Sequence, residues 1–332
     1  MTPTSAASAY LYDERGQRWL DAGVSNALVG HGHAGVAEAV AAQMASTRVD
    51  GGLREQYIQR LLRKFPPRCS YSVCYLVNSL SEANELALRL ARAHRPGKDV
   101  IVLDEANYGM TTSLTNMSPA QYESRSAGKK FWVHGAARRD AHTVVKKTQE
   151  IQASGRGLCG FFAEGIFEGG YLCESYAAAR AAGGLNIAIE AQTGMGRVGE
   201  AFWEFARQGA TPDIVVIGES MGNGFPMAAV VTTQDLAAPF EVPTWSDVAC
   251  AAGLAVLDVL SLPSFEIAWP MPVRGAGLCF EIDVEDGPAV VERLRKRRIL
   301  IGRRGNTLLF RPSLTFARQD ASEFLEGLKE CV

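Results

Sequence analysis

The sequence predicts an α/β fold in which a large, mostly parallel αβα sheet domain is joined to a small α+β domain. Short apolar runs alternate with segments of helical periodicity, which is the pattern of a parallel sheet with crossover helices. From about residue 277 the chain changes to short strands and two helices. We expect residues 1–42 to form the N-terminal part of the small domain, 43–245 the large domain, and 246–332 a shortened C-terminal part of the small domain.

The elements follow from the chain in order. After the first apolar run, apolar residues recur at three- and four-residue spacing from Ala83 to Ala91, and Ser79-Leu-Ser-Glu82 before them has the form of a capping box. A second helix is expected at 174–182, where two glycines follow it. The strands expected in the large domain are 74–77, 100–103, 160–163, 186–189, 214–217 and 228–233. In the small domain we expect strands at 277–284, 299–301 and 307–311 and helices at 289–298 and 321–331.

Composition excludes several classes of function. The net charge of −2 offers no strong field to nucleic acid or to an anionic membrane, and no apolar run reaches the roughly 18 residues of a membrane span. The start of the chain does not resemble a secretory signal. Seven cysteines without a C-x-x-C pair favour reduced thiols and a cytoplasmic location. Gly30-His-Gly-His33 has a metal-like spacing, but further ligands are missing, so we expect a turn and no metal.

Polar residues follow the predicted strands at the ends where doubly wound sheets bind their ligands. Asp104, Glu164, Glu190 and Glu219 each come directly after an apolar run. Any one of them alone is more simply explained as a helix cap or a local ion pair. As a set of acids converging on one edge of the sheet, they predict a functional crevice.

Five segments resemble the class III aminotransferases, which are pyridoxal-phosphate (PLP) enzymes of fold type I. They are Asn78-Ser-Leu-Ser-Glu-Ala-Asn84, "DEANYGMT" from Asp104, "IEAQTGMGRVG" from Ile189, "PDIVVIGESMGNGFP" from Pro212 and "VRGAGL" from Val273. The stretch from 180 to 215 is most similar to the branch of amino-alcohol phosphate phospholyases. The resemblance covers nearly the whole chain, and it implies a homodimer whose sites lie at the subunit interface.

At several site positions the sequence departs from this family. Glu219 stands where the family has the lysine that forms an imine with PLP, and Ile189 stands where it has the aspartate that pairs with the pyridine nitrogen. Leu80 replaces a glycine of the phosphate-binding turn, and Asn107-Tyr108 replaces a Tyr-His pair. These departures lead us to expect that PLP binding has been lost and that the chain uses no cofactor.

Three hypotheses follow. The first is a PLP-independent, repurposed biosynthetic enzyme that uses Glu219, helped by Glu190, as general acid or base on a polar small molecule, in group transfer, elimination or isomerisation. The second is a catalytically dead pseudo-aminotransferase that serves as a partner subunit or binds a ligand. The third keeps PLP or a related phosphate without a covalent bond. The candidate substrate-binding residues are Ser79, Ser81, Asn107, Tyr108, Glu164, Gln192, Thr244 and Arg311.

Overall fold

The computed structural model describes residues 2–23, 26–46, 52–122, 130–164, 171–218, 220–242, 245–262 and 265–332. The strands are β1 Pro3–Ala7, β2 Tyr10–Asp13, β3 Arg18–Asp21, β4 Val73–Val77, β5 Asp99–Leu103, β6 Val133–Ala136, β7 Leu158–Glu164, β8 Leu185–Ile189, β9 Ile214–Ile217, β10 Ala228–Thr232, β11 Arg274–Ala276, β12 Cys279–Asp283, β13 Ile299–Leu300, β14 Gly302–Arg304 and β15 Thr307–Phe310. The helices are α1 Ala34–Met44, α2 Gly52–Leu62, α3 Leu80–His94, α4 Thr112–Met117, α5 Pro119–Tyr122, α6 Ala141–Ala153, α7 Tyr171–Ala181, α8 Glu204–Arg207, α9 Asp247–Val259, α10 Gly287–Lys296 and α11 Arg318–Cys331.

The large sheet has seven strands in the order β4-β10-β9-β8-β7-β5-β6. Strand β10 runs antiparallel to both of its neighbours, and the other pairs are parallel. Every residue of β5, β8, β9 and β10 is buried, as expected for strands covered on both faces. The predicted α/β class with a mostly parallel sheet is therefore confirmed.

The small domain brings both ends of the chain together. One sheet has the order β1-β2-β3-β13, and in it β13 from the C-terminal part runs parallel to β3 from the N-terminal part. A second sheet has the order β11-β12-β15-β14. Helices α10 and α11 pack together beside these strands, around a core that includes Leu294, Phe310 and Phe324.

The residues of the chain belong to two hydrophobic cores, and the change from one core to the other does not fall at the expected domain boundaries of 42 and 246. Helices α1 and α9 pack against each other, and their buried residues belong to the larger core, which runs from Leu28 to Leu257. The smaller core contains Ala9 to Ala22 and then residues from Leu278 onwards. Alanine-rich α9 is apolar on most of its surface, so its sequence alone does not indicate which core it joins.

Helix α3 points its N-terminus at the carboxyl ends of the large sheet. Its predicted capping box is present: Ser79 Oγ accepts a hydrogen bond from the N–H of Glu82 at 3.1 Å, and the Glu82 carboxylate accepts one from the N–H of Asn78 at 3.0 Å. The buried face of α3, from Ala83 to Ala91, has the predicted three- and four-residue spacing. Within the described ranges, none of the helices has the length and apolar character needed to cross a membrane.

Candidate functional site

A cavity of about 70 Å³ lies where β7 and β8 end and the small domain meets the large one. Its walls include Ile189 and Ala191 at the end of β8, Gln192 just beyond them, and Arg311, which follows β15. A water molecule needs about 10–15 Å³ of such space, so the cavity has room for about five to seven water molecules or for a small acidic ligand. Four predicted substrate-binding residues line it, namely Asn107, Glu164, Gln192 and Arg311.

Arg311 carries a positive charge into this cavity. Its side chain is 13% exposed, and its Nη1 donates to Gln192 Oε1 at 3.0 Å. Its Nε is buried and finds no hydrogen-bond partner in the described part of the chain. A guanidinium has five N–H donors, so Arg311 retains capacity to bind a carboxylate or a phosphate.

The backbone at Arg311 is fixed from both sides. Its N–H donates to the carbonyl oxygen of Ala22 at 2.9 Å, which ties it to the N-terminal part of the small domain. The fully buried Arg197 donates through Nη1 to the carbonyl oxygens of Arg311 and Pro312. Arg197 therefore fixes the position of the backbone from which the Arg311 side chain extends.

Glu281 on β12 is the acid nearest to Arg311 among the described residues, but other arginines engage it more closely. Its Oε1 lies 2.8 Å from Arg304 Nη2 and 4.0 Å from Arg311 Nη2, and its Oε2 lies 3.6 Å from Arg274. Burial raises the pKa of Glu281, but the charges of Arg304, Arg138 and Arg311 outweigh it, so that the pKa is lower than usual. Glu281 therefore stays ionised, and its closest ion pair is with Arg304 and not with Arg311.

A second ion pair lines the cavity. Arg138, shortly after β6, donates from Nη1 to Glu164 Oε2 at 3.1 Å, and the two side chains are 10% and 27% exposed. Burial lowers the pKa of Arg138, but the charges of Glu164 and Glu281 raise it more, so that the pKa is above its usual value. Arg138 therefore keeps its charge despite its burial.

A larger cavity of about 450 Å³ adjoins the start of α3. It is lined by Asn78, Ser79, Leu80 and the segment Gly224 to Met227. Leu80 lines both cavities and so forms the wall between them. The Leu80 side chain also packs against the backbone of Gly218, where an added Cβ would lie 3.0 Å from Leu80 Cδ1.

The first turn of α3 offers hydrogen-bond donors to this larger cavity. The capping box uses the N–H groups of Asn78 and Glu82, which leaves those of Leu80 and Ser81 without a partner inside the helix. The start of a helix favours an anion through these groups and through the helix dipole. The Ser81 hydroxyl is closer to the neighbouring loop, since it accepts a hydrogen bond from the N–H of Met110 at 3.2 Å.

Glu190 lines neither cavity, although Thr193, to which it is hydrogen-bonded, lines the smaller one. It is 1% exposed, and its two carboxylate oxygens accept hydrogen bonds from Phe205 N at 2.9 Å and from Thr193 Oγ1 at 2.7 Å. Burial raises its pKa to about 7. The contacts make Glu190 an anchor for the loop from Thr193 to Phe205, and its catalytic role stays a prediction.

Other predicted site residues have contacts of their own. Tyr108 is fully buried, and its hydroxyl donates to the carbonyl of Phe162 and accepts from the N–H of Leu103, so its ring lies in the core and not in the cavity. Asn107 is exposed, and its Oδ1 accepts from Gln121 Nε2 at 2.8 Å. The predicted residues Glu219 and Thr244 lie outside the described residues.

Arg138 and Arg197 are site residues that sequence reasoning missed. Arg138 lies in the segment "AARRD" after an edge strand, and nothing local marks it as different from Arg139. Arg197 lies in "GMGRVG", one of the segments that carry the family resemblance. That this arginine is present in such a segment is the signal by which its role could have been found.

Comparison with known proteins identifies the family. Residues 1–268 match the family model described as "Aminotransferase class-III", so the chain belongs to the class III aminotransferases, a family of enzymes. The predicted resemblance is confirmed. The alanine–glyoxylate aminotransferase 2-like protein of Drosophila melanogaster is 33% identical, over 97% of this chain and 80% of that protein. This alignment spans 399 positions, more than the 332 residues of the chain, so the fly protein has segments that this chain lacks.

Further relatives include phospholyases. The ethanolamine-phosphate phospho-lyase homolog 1 of Caenorhabditis elegans is 32% identical over 77% of this chain, which spans only 64% of that protein. A solved phospholyase from Arthrobacter in complex with phosphoethanolamine has a TM-score of 0.87 and 29% identity, and the match covers 99% of this chain and 93% of that one. An amine transaminase from an uncultivated Pseudomonas species, solved in PLP-bound form, has a TM-score of 0.85 at 23% identity, with 100% and 94% covered. The fold is thus the predicted fold type I.

These findings correct three expectations from the sequence. The expectation of a PLP-independent, repurposed enzyme is wrong, because the chain belongs to the class III aminotransferases and its relatives are named as aminotransferases and phospholyases. The expected loss of PLP binding is contradicted for the same reason. The alternative of a dead pseudo-aminotransferase likewise conflicts with this family of enzymes. The error was to infer from several replaced side chains that the whole cofactor site had gone.

Proposed function

We propose that the chain is a class III aminotransferase-family enzyme that acts on a small amine bearing a carboxylate or a phosphate. The observation that carries this proposal is Arg311, a cation that lines the cavity. Among the described residues its Nε has no hydrogen-bond partner, and the nearest carboxylate lies 4.0 Å away. A charge so weakly neutralised in a partly buried place favours an anionic ligand. The phosphoethanolamine bound to the Arthrobacter phospholyase is an amine of this class.

We further propose PLP as the cofactor, held at the start of α3. The lining of the larger cavity is uncharged and includes the polar residues Asn78 and Ser79, and the N–H groups of Leu80 and Ser81 have no partner inside the helix, which suits a phosphate. Ile189 and Ala191 lie on the other side of Leu80, in the smaller cavity, and their apolar side chains suit the face of an aromatic ring. When bound, PLP supplies an electron-withdrawing ring that weakens bonds next to the substrate nitrogen.

The residues at two positions do not fit covalent or ion-paired binding of PLP. Glu219, which the resemblance places where the family has its lysine, cannot form an imine. Ile189 offers no carboxylate to a ring nitrogen. We therefore propose that the phosphate and ring contacts alone hold the cofactor, and that Glu219 holds or moves a proton where the family uses lysine.

Equilibrium dialysis against PLP, pyridoxal and inorganic phosphate tests the cofactor. We expect the chain to retain PLP, to retain pyridoxal more weakly because it lacks the phosphate, and to yield no pyridoxyl-lysine after borohydride reduction. The variant Glu219→Lys should give a reducible imine and its visible absorbance band, and Glu219→Gln serves as its matched control. Failure to retain PLP, or a borohydride-fixed lysine in the unaltered chain, would refute the proposed mode of binding.

We keep the homodimer and the cytoplasmic location as proposals from the sequence. All seven cysteines are free, in keeping with a reducing compartment. Light scattering after size-exclusion chromatography tests the dimer, and a mass of one chain at micromolar concentration would refute it.

A further inference from the structure

We infer that Arg138 is a specificity-determining residue that binds a second acidic group, so that the substrate of this chain is a small amine with two acidic groups, either two carboxylates or a carboxylate and a phosphate. This inference rests on the proposed function, which places the first acidic group at Arg311. Arg138 and Arg311 line the same cavity.

The charges of the cavity support this reading. Its described lining contains two arginines and one acid, Glu164, and the further acid Glu281 lies 4.0 Å from Arg311 Nη2 but closer to Arg304. Arg138 uses Nη1 for Glu164, and this is its one hydrogen bond within the described residues. The remaining N–H donors of its guanidinium can bind an anion without breaking that pair.

The ion pair itself makes Arg138 suitable for recognition. Glu164 ends β7, at the edge of the sheet where ligands of such folds bind, and it holds the guanidinium in one orientation. An arginine fixed in this way loses less conformational entropy when it binds an acid than a mobile surface arginine does. Arg303 offers the contrast, since it is exposed on β14 and lines neither cavity.

A purely structural role for Arg138 is the competing explanation. In that case Arg138 would only neutralise Glu164, and its loss would weaken every ligand of the cavity to the same extent. If Arg138 instead binds a second acidic group, its loss should weaken the binding of ligands with two acidic groups and not of those with one. A pair of four-carbon acids, succinate and butyrate, separates these explanations.

The experiment measures the affinity of the full chain for succinate and for butyrate by titration calorimetry, with the variants Arg138→Gln, Arg138→Lys, Arg311→Gln and the control Arg303→Gln. We expect the unaltered chain and Arg303→Gln to bind succinate about ten- to a hundredfold more tightly than butyrate, the usual range for charged hydrogen bonds. Arg138→Gln should abolish this preference and change butyrate affinity less than about twofold. Arg138→Lys, which keeps the charge and loses the planar fork, should retain part of the preference.

Two further variants guard against misfolding. Arg138→Gln combined with Glu164→Gln keeps the charge balance of the cavity and should still lack the preference. Glu164→Gln alone removes a competing acid, so it should strengthen succinate binding more than butyrate binding, a gain that unfolding cannot produce.

The outcomes separate this inference from the proposed function. If Arg311→Gln abolishes butyrate binding but the unaltered chain shows no preference for succinate, the inference fails and the proposed function stands. An equal weakening of both acids in Arg138→Gln also refutes it. If neither acid binds the unaltered chain, acid binding at Arg311 fails and the inference fails with it.

Discussion

Replacing Glu190 by glutamine tests whether this acid is an anchor or a catalyst. Burial raises the pKa of Glu190 to about 7, from 4.5 for an exposed glutamate. The pKa of Glu190 is higher in the folded chain than in the unfolded chain, so the folded state binds the proton more tightly. The stabilisation that this gives is fully present below about pH 4.5 and is lost as the pH rises through about 7. A shift of about 2.5 units corresponds to about 3 kcal/mol. The free energy of unfolding of the unaltered chain should therefore fall by about 3 kcal/mol from this residue alone between about pH 4.5 and 8.

The variant Glu190→Gln cannot ionise, so it should lack this decrease. Urea denaturation of both proteins at pH 5, 6, 7 and 8 measures the difference, and Glu326→Gln, which alters an exposed acid on α11, is the control. We expect Glu190→Gln to bind butyrate as the unaltered chain does, because Glu190 does not line the cavity and glutamine can still accept a hydrogen bond from Thr193, which does. Equal pH dependence in the two proteins, together with lost ligand binding in the variant, would show that Glu190 acts on the ligand.

Three further changes test the two cavities and their supports. Leu80→Ala removes the wall between the cavities and should increase PLP affinity severalfold in equilibrium dialysis; an unchanged affinity would show that Leu80 does not limit access. Arg197→Met loses hydrogen bonds to the carbonyl oxygens of residues 311 and 312 and should weaken butyrate binding about tenfold while lowering the unfolding free energy by about 3 kcal/mol. Arg197→Lys should recover part of the binding, and a loss of stability with unchanged butyrate affinity would contradict the role assigned to Arg197. Ser79→Ala should cost about 1 kcal/mol in urea denaturation, and Ser79→Asp should not, because aspartate also caps a helix.

Most of the large domain was predictable from local pattern. Strand β9 has the predicted bounds, and the other five expected strands of the large sheet agree within two residues. Strand β6 escaped prediction because Val133-His-Gly-Ala contains a single large apolar residue, as is common at a sheet edge. Strands β1 and β2 escaped for a similar reason, since their side chains are mostly exposed or half-buried.

The candidate site was predictable only in part. The polar ends of β7 and β8 do converge, which brings Glu164 and Gln192 to one cavity as the strand pattern predicted. Arg138 joins them because β6 pairs with β5 at the far side of the sheet, and no local signal in the sequence reports that pairing. Glu190 follows the same pattern as Glu164, but its side chain turns towards the loop before α8, and this direction depends on tertiary packing.

A crystal structure of the chain grown with PLP and succinate tests the central claim most directly. The account predicts that the phosphate lies at the N–H groups of Leu80 and Ser81, that no covalent bond joins PLP to the chain, and that one succinate carboxylate contacts Arg311. PLP absent from the larger cavity, PLP bonded to a lysine, or succinate bound away from Arg311 would contradict it.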